Sequence, residues 1–485
     1  MNVLVVFDDT NEKSEIIRDV IGEKGFADVV VKRKRLEIWY REKINRLFPQ
    51  AQWRLLRSVF EFHELQKGLE AFSDPGTRVL HCFSNYMISD EEKAMLSFEK
   101  LHYIDESYRV MAGGRPAAVM FADMAAYGEF LKPVCGGLTS VDVAKQVMES
   151  FAVEGLVDIG MVGNFIRCIA GNFDSRYFNS LQGDDYTLVK SSVNKEKIRS
   201  EYSYYHLLPE DMKFWYVMPF CYQEGKETAS YTMERLHMTD LAVKWVHGSI
   251  GEDEFEQLMD KYFYFFRSRH CRKVPHEVYR RTADSLYVDK VVRRISDLKR
   301  FPEYSSIASL MAAGCTEVNM DVLVEKYFRL KAQVEAENDY PQVSVIGHGD
   351  PCFANAMYNK ATKMLKFIDP KGALTEEELW TDPYYDVAKL SHSVCGCYDF
   401  FNNALFDIRI DEDLTCRLDI PFDNISYVRI FRRRLEENGY DYRTVRLYEA
   451  SLFLSMLPLH MDYPQKVFAF ILNASNILEE IENDL

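Results

Sequence analysis

Val343-Ser-Val-Ile-Gly-His348-Gly349-Asp350-Pro-Cys-Phe-Ala-Asn355, followed by Met364-Leu-Lys-Phe-Ile-Asp369-Pro-Lys-Gly372, is the stretch that sets the fold of this chain. Two short apolar runs, Val343–Ile346 and Met364–Ile368, read as strands, and polar residues stand just past the end of each. A tight loop after the first run carries Asp350 and Asn355, and the second run ends on Asp369. Such an arrangement can deliver two carboxylates and an amide to one place. The surroundings, from Thr239 to the end, otherwise read as helical.

Phosphoryl transfer needs those groups. One carboxylate must orient a substrate hydroxyl and accept its proton, while oxygen ligands hold magnesium on the nucleotide phosphates. Asp350 suits the first task. Asn355 and Asp369 suit the second, because magnesium keeps several waters and takes only one or two protein oxygens besides phosphate.

The His-Gly-Asp-x4-Asn pattern with the following Ile-Asp resembles the aminoglycoside phosphotransferase and choline kinase-like superfamily, relatives of the protein kinases. The resemblance spans about residues 155 to 485. It implies an α+β two-lobed protein-kinase-like domain, with an N-lobe over 155–238 (antiparallel sheet plus one helix) and a helical C-lobe over 239–485 carrying the catalytic loop. ATP and Mg2+ are the implied cofactors, Asp350 the catalytic base, and His348 and Asp386 supports of the site.

Upstream, a kinase-like fold predicts a strand lysine for the phosphates paired to a glutamate on the next helix. Tyr186-Thr-Leu-Val-Lys190 alternates so that Tyr186, Leu188 and Lys190 share one face. A helix from Lys195 to Leu208, capped by Asn194, places Glu201 beside its inward stripe of Ile198, Tyr202 and Tyr205. Without that context, Lys190 and Glu201 would more often be a surface pair. Tyr231-Thr-Met-Glu234-Arg-Leu236 is the candidate hinge, where main-chain groups near Glu234 and Leu236 would bond adenine. The phosphate-covering turn departs from protein kinases. No Gly-x-Gly-x-x-Gly occurs, and Gly171-Asn-Phe-Asp-Ser175-Arg176 stands in its place, with Ser175 and Arg176 as candidate phosphate contacts.

Asp382-Pro-Tyr-Tyr-Asp386-Val-Ala-Lys-Leu390 resembles the superfamily's Asp-x-Ala helix start, where the second acid braces the catalytic loop. Either acid is also compatible with a plain helix cap. Asp369 and Asp382 lie too close in sequence for a protein-kinase activation segment, and Gly349 stands where a protein kinase has arginine. The expected acceptor is therefore the hydroxyl of a small molecule: a sugar, amino sugar or amino alcohol. Trp380, Tyr384, Tyr385 and Asp399 are candidates either for its pocket or for packing of the helical lobe. Ser175 to Ser192 and Leu208-Pro209 also resemble, less specifically, kinase-like proteins of bacterial capsule and surface-polysaccharide pathways. The alternatives are a nucleotide-binding pseudokinase acting as a scaffold, and a protein kinase.

Residues 1–150 read differently. Val3–Phe7, Val29–Val31, Arg78–Phe83 and Ala117–Phe121 are strand candidates separated by helix-favouring stretches, which suggests an α/β domain with a largely parallel sheet. Rossmann-like and nucleotidyltransferase- or glycosyltransferase-like layouts both fit, with Asp8, Ser84 and Asn85 at strand ends facing a cleft. The Gly-rich nucleotide loop of a nucleotidyltransferase is missing, so a degenerate or binding module is expected. From Val157, the runs Phe165–Ala170, Tyr177–Leu181 and Tyr186–Lys190 read as an antiparallel meander.

The chain has 485 residues, with 59 Lys+Arg against 75 Asp+Glu and a formal net charge of -16. That balance argues against a nucleic-acid partner held by a broad basic face. The start, MNVLVVFDD, lacks the basic region of a signal peptide, and no apolar run is long enough for a membrane span. Ten scattered cysteines suggest buried thiols in a reducing, cytoplasmic setting.

Overall fold

The computed structural model describes residues 2–69, 76–170, 179–184, 186–314, 319–338, 340, 342–412 and 415–484. The chain divides into two compact units, Met1–Phe173 and Asp174–Leu485.

The first unit is built on a six-stranded sheet: β1 (Val3–Asp8), β2 (Gln52–Leu56), β3 (Arg78–Phe83), β4 (Tyr108–Ala112), β5 (Arg115–Phe121) and β6 (Glu149–Ala152). The order is β2-β1-β3-β5-β4-β6. Every residue of β1 is buried, as expected of a central strand covered on both faces. The α/β alternation is as the sequence reads, but the sheet is mixed rather than largely parallel. β1 runs parallel to β2 and β3, whereas β5 is antiparallel to both β3 and β4. The reason is local: Gly113 and Gly114, with φ of 58° and 79°, turn the chain directly from β4 into β5 as a hairpin, leaving no room for a crossover helix. Val29–Val31 forms only a two-residue ladder with Lys34–Arg35.

Phe165–Ala170 is helix, not strand. It lies in a helix over Val162–Ala170, and Phe165, Ile166 and Ile169 are buried at helical spacing; that period outweighs the apparent alternation. Leu156–Asp158 pairs with Tyr86–Ile88 of the first unit. Residues 155–170 fall within the unit Met1–Phe173, whereas the sequence reading begins the N-lobe at 155.

The second unit has a small sheet-bearing lobe followed by a larger helical one. Its N-lobe sheet is β7 (Asn179–Gly183), β8 (Thr187–Ser192), β9 (Pro219–Glu224) and β10 (Ala229–Glu234), antiparallel throughout in the order β7-β8-β10-β9. Helix α1 (Lys195–Leu207) starts where the Asn194 side chain accepts from Lys197 N at 3.1 Å. Ile198 of this helix packs with Ala229, Tyr231 and Met233 of β10. This small core fixes α1 over the strand that carries Lys190.

The larger lobe is helical, with α2 (Glu252–Ser268), α3 (Tyr385–Val394), α4 (Tyr442–Met456) and α5 (Pro464–Asn483). Short strands interrupt it where expected: β11 (Val343–Ile346) and the hairpin β12 (Ala356–Asn359) and β13 (Met364–Phe367). Tyr384 and Tyr385 are buried in the helical lobe, and Tyr384 lies edge-on to Tyr440 at 5.2 Å. These two tyrosines pack the lobe rather than line an open pocket. Among the described cysteines, Cys82, Cys352 and Cys397 are buried but Cys221 and Cys271 are exposed, so burial is not general. Among the described residues, no helix is long and apolar enough to cross a membrane.

Candidate active site

The β12–β13 hairpin is what brings Asn355 and Asp369 together. Its ladder starts at Ala356↔Phe367, and Ile368 N donates to Asn355 O at 3.0 Å just beyond it. The two residues thus leave the same end of one hairpin. Asp369 has φ of 54°, a left-handed conformation that ends the strand and redirects the chain. Asn355 Nδ2 donates to Asp350 O at 2.9 Å, so Asn355 also ties the loop carrying Asp350 to the hairpin. With its amide protons committed on that side, its Oδ1 is the atom suited to a cation.

His348 joins the same pieces. Its Nε2 is 3.0 Å from Ile368 O and its Nδ1 3.1 Å from Asp350 N. A carbonyl can only accept and an amide NH only donate, so the proton sits on Nε2 and the ring is neutral. Burial agrees, pushing the imidazole pKa below its ordinary value against the opposing charge of Asp386. The ring stacks on Tyr216 at 5.7 Å. Lys371 N donates to His348 O at 2.8 Å, closing the second link between the two loops.

Beneath them, fully buried Asp386 accepts from His348 N at 2.9 Å, Gly349 N at 2.7 Å and Arg269 Nη1 at 3.0 Å. The first helical residue is Tyr385, and its cap makes no side-chain hydrogen bond, so Asp386 serves the loop rather than the helix end. Asp382 instead accepts from Tyr287 OH and Tyr384 N at 2.8 and 2.9 Å. Burial pushes its carboxyl up to about 6. Gly349 has φ of 86°, and a Cβ there would lie 2.5 Å from Lys371 Cβ. Only glycine fits so close an approach.

From the N-lobe, Lys190 reaches this cluster. Its Nζ is 2.8 Å from Glu201 Oε2 and 2.7 Å from Asp369 Oδ1. Lys190 is only 4% exposed and Glu201 5%. Burial alone would discharge the lysine, but Asp369 and Glu201 outweigh it and hold its pKa above the ordinary value. Burial likewise works against the Asp369 charge, and Lys190 overcomes it, keeping that carboxyl below the usual range. Tyr231 OH donates to Glu201 Oε2 at 3.1 Å from the strand position paired with Lys190.

Asp350 is 41% exposed at its side chain, and Lys389 Nζ lies 3.0 Å from its Oδ1. At the candidate hinge, the β9–β10 ladder ends at Pro219↔Met233, so Glu234 has no partner in it on that side. Arg235 N, between Glu234 and Leu236, donates to Tyr186 O at 2.9 Å. Alternation along an extended segment then turns the neighbouring main-chain NH groups toward the opposite, unpaired edge. Ser175 and Arg176 lie outside the described residues.

Among the described residues no three His, Cys, Asp or Glu side chains converge as a metal site. Asn355 and Asp369 nonetheless fit magnesium held mainly by nucleotide phosphates and water, since they supply one amide oxygen and one ionised carboxylate from a single hairpin end.

No protein-family model and no curated protein matches the chain. Among solved structures, aminoglycoside phosphotransferase APH(4)-Ia, in a ternary complex with ADP and hygromycin B, matches 66% of this chain and 98% of its own at 13% identity and a TM-score of 0.34. APH(2")-IIa, solved with streptomycin and ATP, matches at 15% identity, 63% and 89% coverage and a TM-score of 0.35. Choline kinase from Cryptosporidium parvum Iowa II matches at 10% identity, 64% and 87% coverage and a TM-score of 0.31. What this chain can do is set by its own side chains.

Sequence reasoning did not single out Arg269, placed Tyr231 only in the hinge stretch, and gave Lys389 no role. Arg269 carried no local signal, because its partner is 117 residues away. Tyr231 was readable from strand pairing with Lys190. Lys389 was readable from its place one helical turn after Asp386.

Proposed function

We propose that the second unit transfers the γ-phosphoryl group of Mg-ATP to a hydroxyl of a small molecule. The observation that supports this most directly is the bond between Lys190 and Asp369, a separation of 179 residues closed to 2.7 Å beside Glu201. It gathers a cation for phosphates, a carboxylate for magnesium and, through Asn355 and His348, the loop bearing Asp350.

In this mechanism the acceptor hydroxyl approaches Asp350, whose carboxylate orients the O–H and takes its proton as the oxygen bonds to the γ-phosphorus. The bond between γ-phosphorus and the bridging oxygen breaks, and ADP leaves with the electron pair. Magnesium, when bound, neutralises charge on the phosphate oxygens. Asn355 and Asp369 hold it, and Lys190, oriented by Glu201 and Tyr231, faces the α and β phosphates. Main-chain groups around Glu234 and Leu236 receive the adenine. His348 and Asp386 keep the Asp350 loop in register with the hairpin.

The acceptor belongs to the sugars, amino sugars or amino alcohols. Precursors of capsular or other surface polysaccharides fall within that class, and the same chemistry places the reaction in the cytoplasm, where ATP is supplied. A coupled ADP-release assay over sugars, amino sugars, choline and ethanolamine tests the assignment. Acceptor-dependent turnover is expected, with Asp350→Ala slower by roughly 10²-fold or more while nucleotide binding survives. Equal turnover in the variant removes Asp350 from the mechanism. Nucleotide binding without ADP release across the panel would favour a scaffold instead.

A further inference from the structure

The four residues between Asp350 and Asn355 are Pro351, Cys352, Phe353 and Ala354, so this stretch of loop supplies no charge of its own. Two other lysines of the site have partners of their own. Lys190 is engaged by Glu201 and Asp369, and Lys371 Nζ donates to Leu379 O at 3.1 Å. Lys389 forms an ion pair with Asp350, at 3.0 Å. It comes from α3, and its side chain is only 11% exposed. Despite that burial, Asp350 keeps its pKa above the ordinary lysine value, so it stays charged.

The same helix already holds the loop. Asp386 bonds the main-chain NH groups of His348 and Gly349, and Lys389, three residues on, lies on the same helical face. One turn of α3 therefore grips the backbone before Asp350 and the side chain of Asp350 itself. A carboxylate on a loop has two side-chain torsions to settle, and a buried ammonium fixed to a helix removes that freedom.

We propose that Lys389 is a positioning residue for phosphoryl transfer: from α3 it holds the Asp350 carboxylate in the direction from which the acceptor hydroxyl must approach. This rests on the kinase assignment above and adds a residue to it. Lys389 acts through Asp350 and makes no claim on the nucleotide, whose phosphates lie toward Lys190.

Lys389→Met keeps the length of the side chain and removes the charge. Asp350 is partly exposed, so water can solvate it in the variant and the fold should hold. Steady-state ADP release with the best acceptor is expected to show kcat lowered roughly 10- to 100-fold. ATP affinity, read separately by titration, should stay within about twofold, and the acceptor KM should change little. Lys389→Arg should recover a large part of kcat, because it restores a cation at the same helix position. Lys389→Gln, a second neutral variant, guards against a folding defect peculiar to methionine. A purely structural role would instead lower thermal stability and leave kcat per folded molecule unchanged, and that result overturns the proposal. Unchanged kcat in both neutral variants overturns it too, while the kinase assignment stands. Absence of turnover in the unmodified chain defeats the kinase assignment, and this proposal with it.

Discussion

Lys190 Nζ donates to Asp369 Oδ1 at 2.7 Å, so the cation proposed for the phosphates and the carboxylate proposed for magnesium hold each other. In the proposed mechanism, binding of Mg-ATP exchanges that bond for two others. Lys190→Ala should therefore act twice. It leaves Glu201 buried with only Tyr231 and, at 3.6 Å, Lys197 beside it, a loss expected to cost about 3 kcal/mol by denaturant unfolding. It should also raise the KM for ATP and lower kcat. A variant as stable and as active as the parent would show that the pair is ornamental.

Asp386 gathers two main-chain donors and the buried Arg269 guanidinium. Asp386→Ala leaves that guanidinium without its counter-charge, and destabilisation of about 3–5 kcal/mol is expected. Turnover should fall sharply even in the fraction that folds, because His348 N and Gly349 N then lose the acceptor that shapes the turn before Asp350. Retention of kcat in folded Asp386→Ala would separate the brace from catalysis.

Gly349→Ala tests close packing. The new Cβ meets Lys371 Cβ at 2.5 Å in a left-handed backbone. The strain of about 1–3 kcal/mol should shift the loop and lower kcat roughly tenfold or more. Gly439→Ala is the control, since φ there is 76° but no atom lies within 4 Å of an added Cβ. It should lose some stability and no activity; equal kcat in the two variants would count against a fitted loop.

The pH dependence of stability has a definite sign. Burial pushes Asp399 up to about 7, with Ser393 offsetting only part, and pushes Asp240 to about 7 as well. In the unfolded chain both titrate near the ordinary value of about 4. Between those values the folded state binds more protons, so their contribution is full below about pH 4 and is lost as pH rises through about 7. Asp399→Asn should flatten the unfolding free energy between pH 4 and 8, by up to about 4 kcal/mol across the window. An unchanged slope would mean that Asp399 keeps its ordinary pKa in the fold.

How legible all this was depends on how far each signal reaches along the chain. The loop around Asp350, strands Val343–Ile346 and Arg78–Phe83, and the Asn194 cap were readable because each is written in adjacent residues. Glu201 was readable because a helix period placed it on the inward face. Phe165–Ala170 failed because so short a run carries both a two-residue and a helical period, and only packing decides between them. The mixed direction of the first sheet failed for a related reason: Gly113-Gly114 was a hairpin signal, but the alternation of strands and helices around it read as crossovers. Arg269 was invisible, since a buried guanidinium is chosen by the carboxylate it meets in three dimensions.

The distances that assemble this site also order events in time during synthesis. Lys190 and Glu201 leave the ribosome well before Asp369, and the loop at His348 before the Asp386 that braces it. A nascent chain stopped short of α3 has the complete N-lobe sheet and the catalytic loop sequence, yet lacks the carboxylate that shapes the loop and the ammonium that meets Asp350. The candidate site is thus complete only once α3, which follows the loop in sequence, has been made.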